Sequence, residues 1–270
     1  MEQDVVKDYY DSMSEKELLR LANPYSNIEY ETTLYLINKY FSKEGKILDI
    51  GCGPGRYSLA LLERGYKVSL LDLSQNELDI AKKKITEKGY EAEGYYCQSA
   101  MELDGFEDNS FDGILVMGPM YHLHGKENRR HVLEEVKRIL KPGGKALIAY
   151  INMWGVLKAS VYEFPTAFEK EQHFYEPEQG DVEFSQEQAF TRSYFTTPPH
   201  ALEAIEEAGF KLVSYAGAES FLSGLMLETK NLATYIPDTY KLYVKKACEY
   251  CELPQYRDAT EHLNIIVEKV

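Results

Sequence analysis

The sequence predicts an α/β protein built on a doubly wound, mostly parallel sheet, and three observations carry that reading. From Lys46 onward short apolar runs alternate with amphipathic stretches, a glycine-rich turn follows the first run, and an aspartate closes the second. Strands that alternate with helices need crossover connections, which are right-handed and put helices on both faces of a parallel sheet. With 270 residues, 44% hydrophobic and 27% charged, the chain can bury the core of one large domain, or of a standard domain with a smaller cap.

The elements follow in order. The first 45 residues read as helical. Lys46 to Gly51 is the first strand, and the segment from Tyr57, carrying Leu59, Ala60 and Leu62, is a helix that stops at Gly65. Lys67 to Asp72 is the second strand. Ser74-Gln-Asn-Glu77 is a capping box that opens a helix with Leu78, Ala81 and Ile85 on one face. Ala92 to Gln98 is the third strand, and Phe111 to Met117 is a fourth, apolar on both faces as a central parallel strand is. A helix from about Lys126 to Leu140 is stopped by Lys141-Pro-Gly-Gly144, and Lys145 to Ile151 is the fifth strand. Residues 152–197 are aromatic and acidic without a period, and 218–259 look helical; both are read as cap and substrate insertions, folding together with aromatic side chains toward the ligand. Between them a helix from Pro198-Pro199 to Gly209 precedes a strand from Phe210 to Tyr215, and Leu263 to Val267 reads as an edge strand or a short helix. The core therefore comprises 46–151, 198–217 and 260–270.

Charge and cysteine usage exclude several functions. A net charge of −14 repels phosphate backbones and anionic headgroups, so neither nucleic acid nor a membrane is expected as partner. The acidic start and the absence of an apolar run of about 18 residues place the chain in the cytoplasm. Cys248 and Cys251 form the only C-x-x-C, in a helix-like stretch without two further ligands at fixed spacing, and no metal is expected.

The candidate site is Gly51-Cys52-Gly53-Pro54-Gly55, between the first strand and its helix, where missing Cβ atoms let a ligand approach the backbone. A dinucleotide fingerprint would want glycine where Arg56 stands, which argues against a dehydrogenase. Asp72, twenty-one residues after Gly51, ends the second strand, where a carboxylate can accept both hydroxyls of a ribose or cap the turn into Ser74.

Together these residues resemble the class I S-adenosylmethionine-dependent methyltransferases. Ile47-Leu-Asp-Ile-Gly-Cys-Gly-Pro-Gly-Arg56 is similar to that family's first motif, Leu71-Asp-Leu-Ser74 to its second, Asn109 to Leu115 to its fourth strand and Leu140 to Gly144 to the turn before its fifth. The resemblance implies a Rossmann-like, seven-stranded sheet whose last strand, near 263–270, inserts antiparallel between the fifth strand and the one near 210. It implies S-adenosylmethionine as cofactor, S-adenosylhomocysteine as product, and contacts from Asp49, Gly51, Cys52, Gly53 and Gly55, with Asp72 on the ribose and Leu73 on the adenine. Gln98-Ser99-Ala100-Met101 stands where many members place an acid, so Ser99, Ala100 and Met101 would border the adenine, and Met117 and Gly118 the methionine end. The N-terminal segment would fold over the cofactor, Tyr10 closing on it and Arg20 meeting its carboxylate.

A sulfonium methyl is already activated, so in-line positioning of a small-molecule acceptor is the main task, and a base is needed only for a hydroxyl, a carbon acid or a protonated amine. His122 is the first choice of base, ahead of His124, with Tyr121 beside it as acceptor wall. The competing reading is a non-catalytic sensor or subunit that keeps the nucleotide pocket. An uncharged or cationic acceptor suits the overall charge, unless Arg20, Arg56, Arg129, Arg130 and Arg192 gather into one anion site.

Overall fold

The expected alternation is present in a computed structural model that describes residues 2–163, 166, 168–174, 180–187, 189 and 191–270. Two helices, α1 (Glu2–Leu21) and α2 (Pro24–Tyr40), precede β1 (Lys46–Ile50), α3 (Arg56–Glu63), β2 (Lys67–Asp72), α4 (Gln75–Glu87), β3 (Gly94–Cys97) and β4 (Phe111–Val116). Then come α5 (Lys126–Ile139), β5 (Leu140–Asn152), α6 (Met153–Glu163), the short strands β6 (Val182–Phe184) and β7 (Ser193–Thr196), α7 (Pro198–Glu207) and β8 (Lys211–Gly217). Helices α8 (Met226–Tyr235), α9 (Pro237–Tyr250) and α10 (Pro254–Arg257) lead into β9 (His262–Glu268). The capping box works as read: the Ser74 hydroxyl accepts the amide of Glu77 at 3.2 Å at the start of α4.

Strands β3, β2, β1, β4 and β5 lie side by side in parallel. The last strand is not at an edge. β9 runs antiparallel between β5, from Lys145 opposite Glu268 to Ile151 opposite His262, and β8, as the family resemblance implies. Hydrophobic alternation alone could not place it, because an apolar run at the chain's end reads the same beside one neighbour or two. The structure adds a hairpin of β6 and β7 inside 152–197, joined to the end of β5 through Ile151 and Phe195, so nine strands form the sheet among the described residues. Strands of three and four residues are too short to show a period.

Each central strand sends alternate residues to two helical layers. Leu48, Ile50, Ile114, Val116 and Ile148 pack with Val132, Val136 and Ile139 of α5 and Ile205 of α7. Ile47, Val68, Leu70, Leu115 and Leu147 pack on the other face with Leu36 and Ile37 of α2, Leu61 of α3 and Leu78 and Ala81 of α4. Both insertions leave the carboxyl edge of the sheet, directly after β5 and β8, and they touch each other: Lys158 of α6 donates to the carbonyl of Ala259 at 3.0 Å, and the Asn152 amide to those of Asp258 at 2.9 Å and Thr260 at 2.7 Å. No described helix is long and apolar enough to cross a membrane.

Candidate functional site

The turn after β1 is held to β2 by the amides of Gly51 and Cys52, which both donate to the Leu71 carbonyl, at 2.8 and 3.2 Å. Gly51 has φ +76°, and a Cβ there would stand 2.5 Å from the carbonyl oxygen of Met117, so only glycine lets this turn pass the end of β4. A Cβ on Gly53 would meet nothing within 4 Å, and the space it would enter is a cavity of about 160 Å³. Beside Gly53 stands Asp72. One carboxylate oxygen accepts the Gly53 amide at 2.8 Å, the other the Ser74 amide at 2.9 Å. The carboxylate thus caps the turn, as one reading held, and keeps a further lone pair on each oxygen for a ligand on the cavity side. Burial raises its pKa, and the amides of Ser74 and Gly53 oppose the rise.

Of the residues singled out in the sequence, Gly51, Gly53, Asp72, Leu73, Ser99, Ala100, Met117, Gly118, Tyr121, His122, Tyr10 and Arg20 line the cavity. Asp49, Cys52, Gly55 and Met101 stand behind it. Asp49 shares the strand face of Ile47 and turns under α3, where one oxygen accepts the Ser58 hydroxyl at 2.6 Å; burial pushes its pKa up to about 7. Gly55 is the left-handed cap of α3, where a Cβ would lie 2.8 Å from the Cβ of Ala81, so its part is to let α3 and α4 approach. Cys52 is buried in the core under α3 and α4, and Met101 packs against the opposite core. Val6, Pro54, Leu71, Glu77, Gln98, Pro119 and Leu123 also line the cavity. Gln98 could have been found from its place directly after the third strand; Glu77 was hidden by its capping role.

The roof comes from α1. Tyr10 donates its hydroxyl to Nε2 of His122 at 2.9 Å, while Nδ1 of His122 lies 3.0 Å from the carbonyl oxygen of Arg192. A carbonyl only accepts, so Nδ1 carries the hydrogen and Nε2 offers its lone pair. His124 does not line the cavity; its Nε2 bonds the Ser193 carbonyl at 3.0 Å. No described residue of 152–197 or 218–259 lines the cavity, and α8 and α9 pack on α2; residues 164, 165, 167, 175–179, 188 and 190 of the expected cap lie outside the described residues. Arg20 lines the cavity, whereas two other arginines are engaged elsewhere. Arg56 stacks on Tyr30, 4.0 Å from its ring centre, and Arg129 pairs with Glu183 at 2.8 Å. The thiols of Cys248 and Cys251 are pushed up by burial, to about 11 and about 12, so neither is poised for metal or redox chemistry near neutral pH.

Residues 47–144 match the sequence model of a methyltransferase domain. Those residues carry the glycine turn, Asp72 and the end of β4 just described. They carry the sequence of a methyltransferase domain. Among proteins similar to it, demethylmenaquinone methyltransferase of Bacillus velezensis is 38% identical over 109 residues, 39% of this chain and 45% of that one. Ubiquinone biosynthesis O-methyltransferase of Idiomarina loihiensis is 31% identical over 40% of this chain and 42% of its own. The chain thus spans under half the length of these relatives. A similar fold is seen in the Burkholderia thailandensis 1,6-didemethyltoxoflavin-N1-methyltransferase, solved with 1,6-didemethyltoxoflavin and S-adenosylhomocysteine; it has a TM-score of 0.60 at 15% identity and covers 99% of this chain and 88% of that chain. The methyltransferase domain offers what such a cofactor needs: an open glycine backbone, a carboxylate with spare lone pairs, and an apolar floor from Leu71, Leu73 and Ala100.

Proposed function

We propose that the chain transfers the methyl group of S-adenosylmethionine to a small-molecule acceptor. The observation that carries this is Asp72, fixed on the cavity wall by the amides of Gly53 and Ser74, beside the open face of Gly53. In this reading Asp72 holds the ribose hydroxyls, and Leu73, Ser99 and Ala100 border the adenine. Gly51, Gly53 and Gly118 let the methionine end approach the backbone, and Arg20 meets its carboxylate. The cofactor supplies an activated methyl group; the chain supplies alignment and a covered site. Tyr121 stands at the methyl end as acceptor wall, and His122, with its tautomer set by the Arg192 carbonyl, takes a proton at Nε2 through the Tyr10 hydroxyl bonded to it, which in turn takes the one the acceptor loses. A role in catalysis rather than in sensing is supported by that base, set beside the end of β4. The acceptor is read as uncharged or cationic, because the chain carries −14 and Arg56 and Arg129 are held in contacts of their own. Four unpaired cysteines support a reducing, cytoplasmic setting.

Calorimetry with S-adenosylhomocysteine tests the reading. The wild type is expected to bind, and Asp72→Ala to bind at least tenfold more weakly, since each hydrogen bond to a charged group contributes roughly 1.5 to 3 kcal/mol. Absence of heat with the wild type, or equal affinity in the variant, overturns it.

A further inference from the structure

Outside the cavity, a cluster of ligating side chains among the described residues lies where β9 begins. Alternation along β9 sends Leu263, Ile265 and Val267 to the core under α5, and His262 and Asn264 to the opposite face, which α2 covers. Glu219, 2% exposed, reaches the same place from the turn after β8. Its Oε2 accepts the backbone amides of Glu261 at 3.1 Å and His262 at 3.2 Å, and its Oε1 lies 2.7 Å from Nδ1 of His262. Glu29, from α2, completes a set whose ligand atoms all lie within 4.8 Å of one another. A further observation points to a ligand. Asn264 is fully buried one pleat along from His262; its amide nitrogen donates to Thr33, one helical turn from Glu29, at 2.9 Å, and its carbonyl oxygen has no partner among the described residues.

We propose that Glu29, Glu219 and His262 form a binding site for a divalent transition-metal ion. Two carboxylate oxygens and one imidazole nitrogen are a donor set for zinc, manganese or cobalt; magnesium and calcium favour oxygen alone. With imidazole neutral the three groups carry two negative charges, which such an ion balances. The ion takes the place of the Nδ1 hydrogen that now lies between His262 and Glu219; the bound ring stays neutral by carrying its hydrogen on Nε2, so a doubly protonated ring releases one proton to solvent and a neutral ring moves its hydrogen from Nδ1 to Nε2. Glu219 is already oriented by two amides, so the ion meets a preset ligand. His262 pairs with Ile151 at the carboxyl end of β5, two strands from the end of β4, about 10 Å from Gly118 at a strand spacing of about 4.8 Å. The three ligands are separated by 190 and 43 positions in the chain, which is why no spacing motif announces them.

The test is a titration of the metal-free protein with cobalt(II) chloride, followed by visible absorption, and with manganese(II) or zinc(II) by calorimetry. One equivalent is expected to bind, with d–d bands of nitrogen and oxygen ligation and no thiolate charge-transfer band. Glu29→Gln, at a half-exposed helix position that leaves the fold in place, is expected to weaken binding by more than the roughly 10- to 100-fold typical of losing an outer partner, and His262→Gln likewise. Binding of S-adenosylhomocysteine by Glu29→Gln at wild-type affinity shows that its fold is intact. A wild type that takes up no ion, a thiolate band, or wild-type affinity for the metal in Glu29→Gln overturns the proposal, and none of these outcomes bears on the cofactor pocket.

Discussion

Asp49 and Asp72 sit on adjacent strands and have opposite duties. Asp72 reaches the carboxyl edge and faces the cavity, whereas Asp49 is fully buried beneath α3, with one oxygen on Ser58 and the other without a partner among the described residues. The sequence shows that both belong to motifs, but it cannot show which face of β1 the turn leaves exposed, and so Asp49 is legible as part of the site only through its neighbours. Its pKa, raised by burial to about 7, makes a pH prediction. Between about pH 4 and pH 7 the unfolded chain releases this proton and the folded chain keeps it, so stability falls as pH rises through that window and is flat above it. Relative to Asp49→Asn, which keeps an acceptor for Ser58, the wild type is expected to lose of the order of 4 kcal/mol across the window, at about 1.4 per pKa unit. Urea unfolding of both proteins from pH 4 to pH 8 checks this. A constant difference between them would show that Asp49 titrates normally.

Among the elements, α1 is the one whose position decides access. It rests on α4 and α2, tied down where Ser74 bonds the Asp11 carboxylate and the Asn76 amide reaches the Asp11 carbonyl at 3.0 Å, and Val6 is its one buried apolar side chain among the described residues. Few apolar contacts mean a low free energy of local opening. The cavity beneath it, at about 160 Å³, is smaller than the roughly 300 Å³ at which ligand pockets begin, and α1 is expected to swing aside to admit the cofactor and then close on it. Amides from Val5 to Asp11 are accordingly expected to exchange rapidly in the free protein and at least tenfold more slowly with S-adenosylhomocysteine bound. Equal exchange in both states would make α1 a fixed wall. Tyr10 and His122 were legible as separate candidates, one from an aromatic helix and one from the end of a strand. Their hydrogen bond was not, since 112 positions separate them.

At the scale of the whole molecule the alternation of apolar strands and capped helices was enough to give the parallel sheet, because each crossover admits one hand and each central strand must be covered on both faces. The place of β9 came from the family resemblance, and the β6–β7 hairpin came from neither. That placement has a consequence for stability that an edge strand would not have. Leu263, Ile265, Ile266 and Val267 are fully buried, and β9 supplies the only link among described strands between β5 and β8. Removing residues 262–270 exposes the flank of β5 and deletes four large apolar side chains, worth roughly 1.5 to 3 kcal/mol each in lost burial alone. The sum, about 6 to 12 kcal/mol, matches the whole stability of a typical domain, about 5 to 15 kcal/mol. The truncated chain is therefore expected to lose cooperative unfolding and near-ultraviolet dichroism and to bind no S-adenosylhomocysteine, although the glycine turn, Asp72 and His122 all remain in it. A single sharp thermal transition with retained binding would mean that the five parallel strands and their helices form a self-sufficient core, and that β9 and β8 merely cover it.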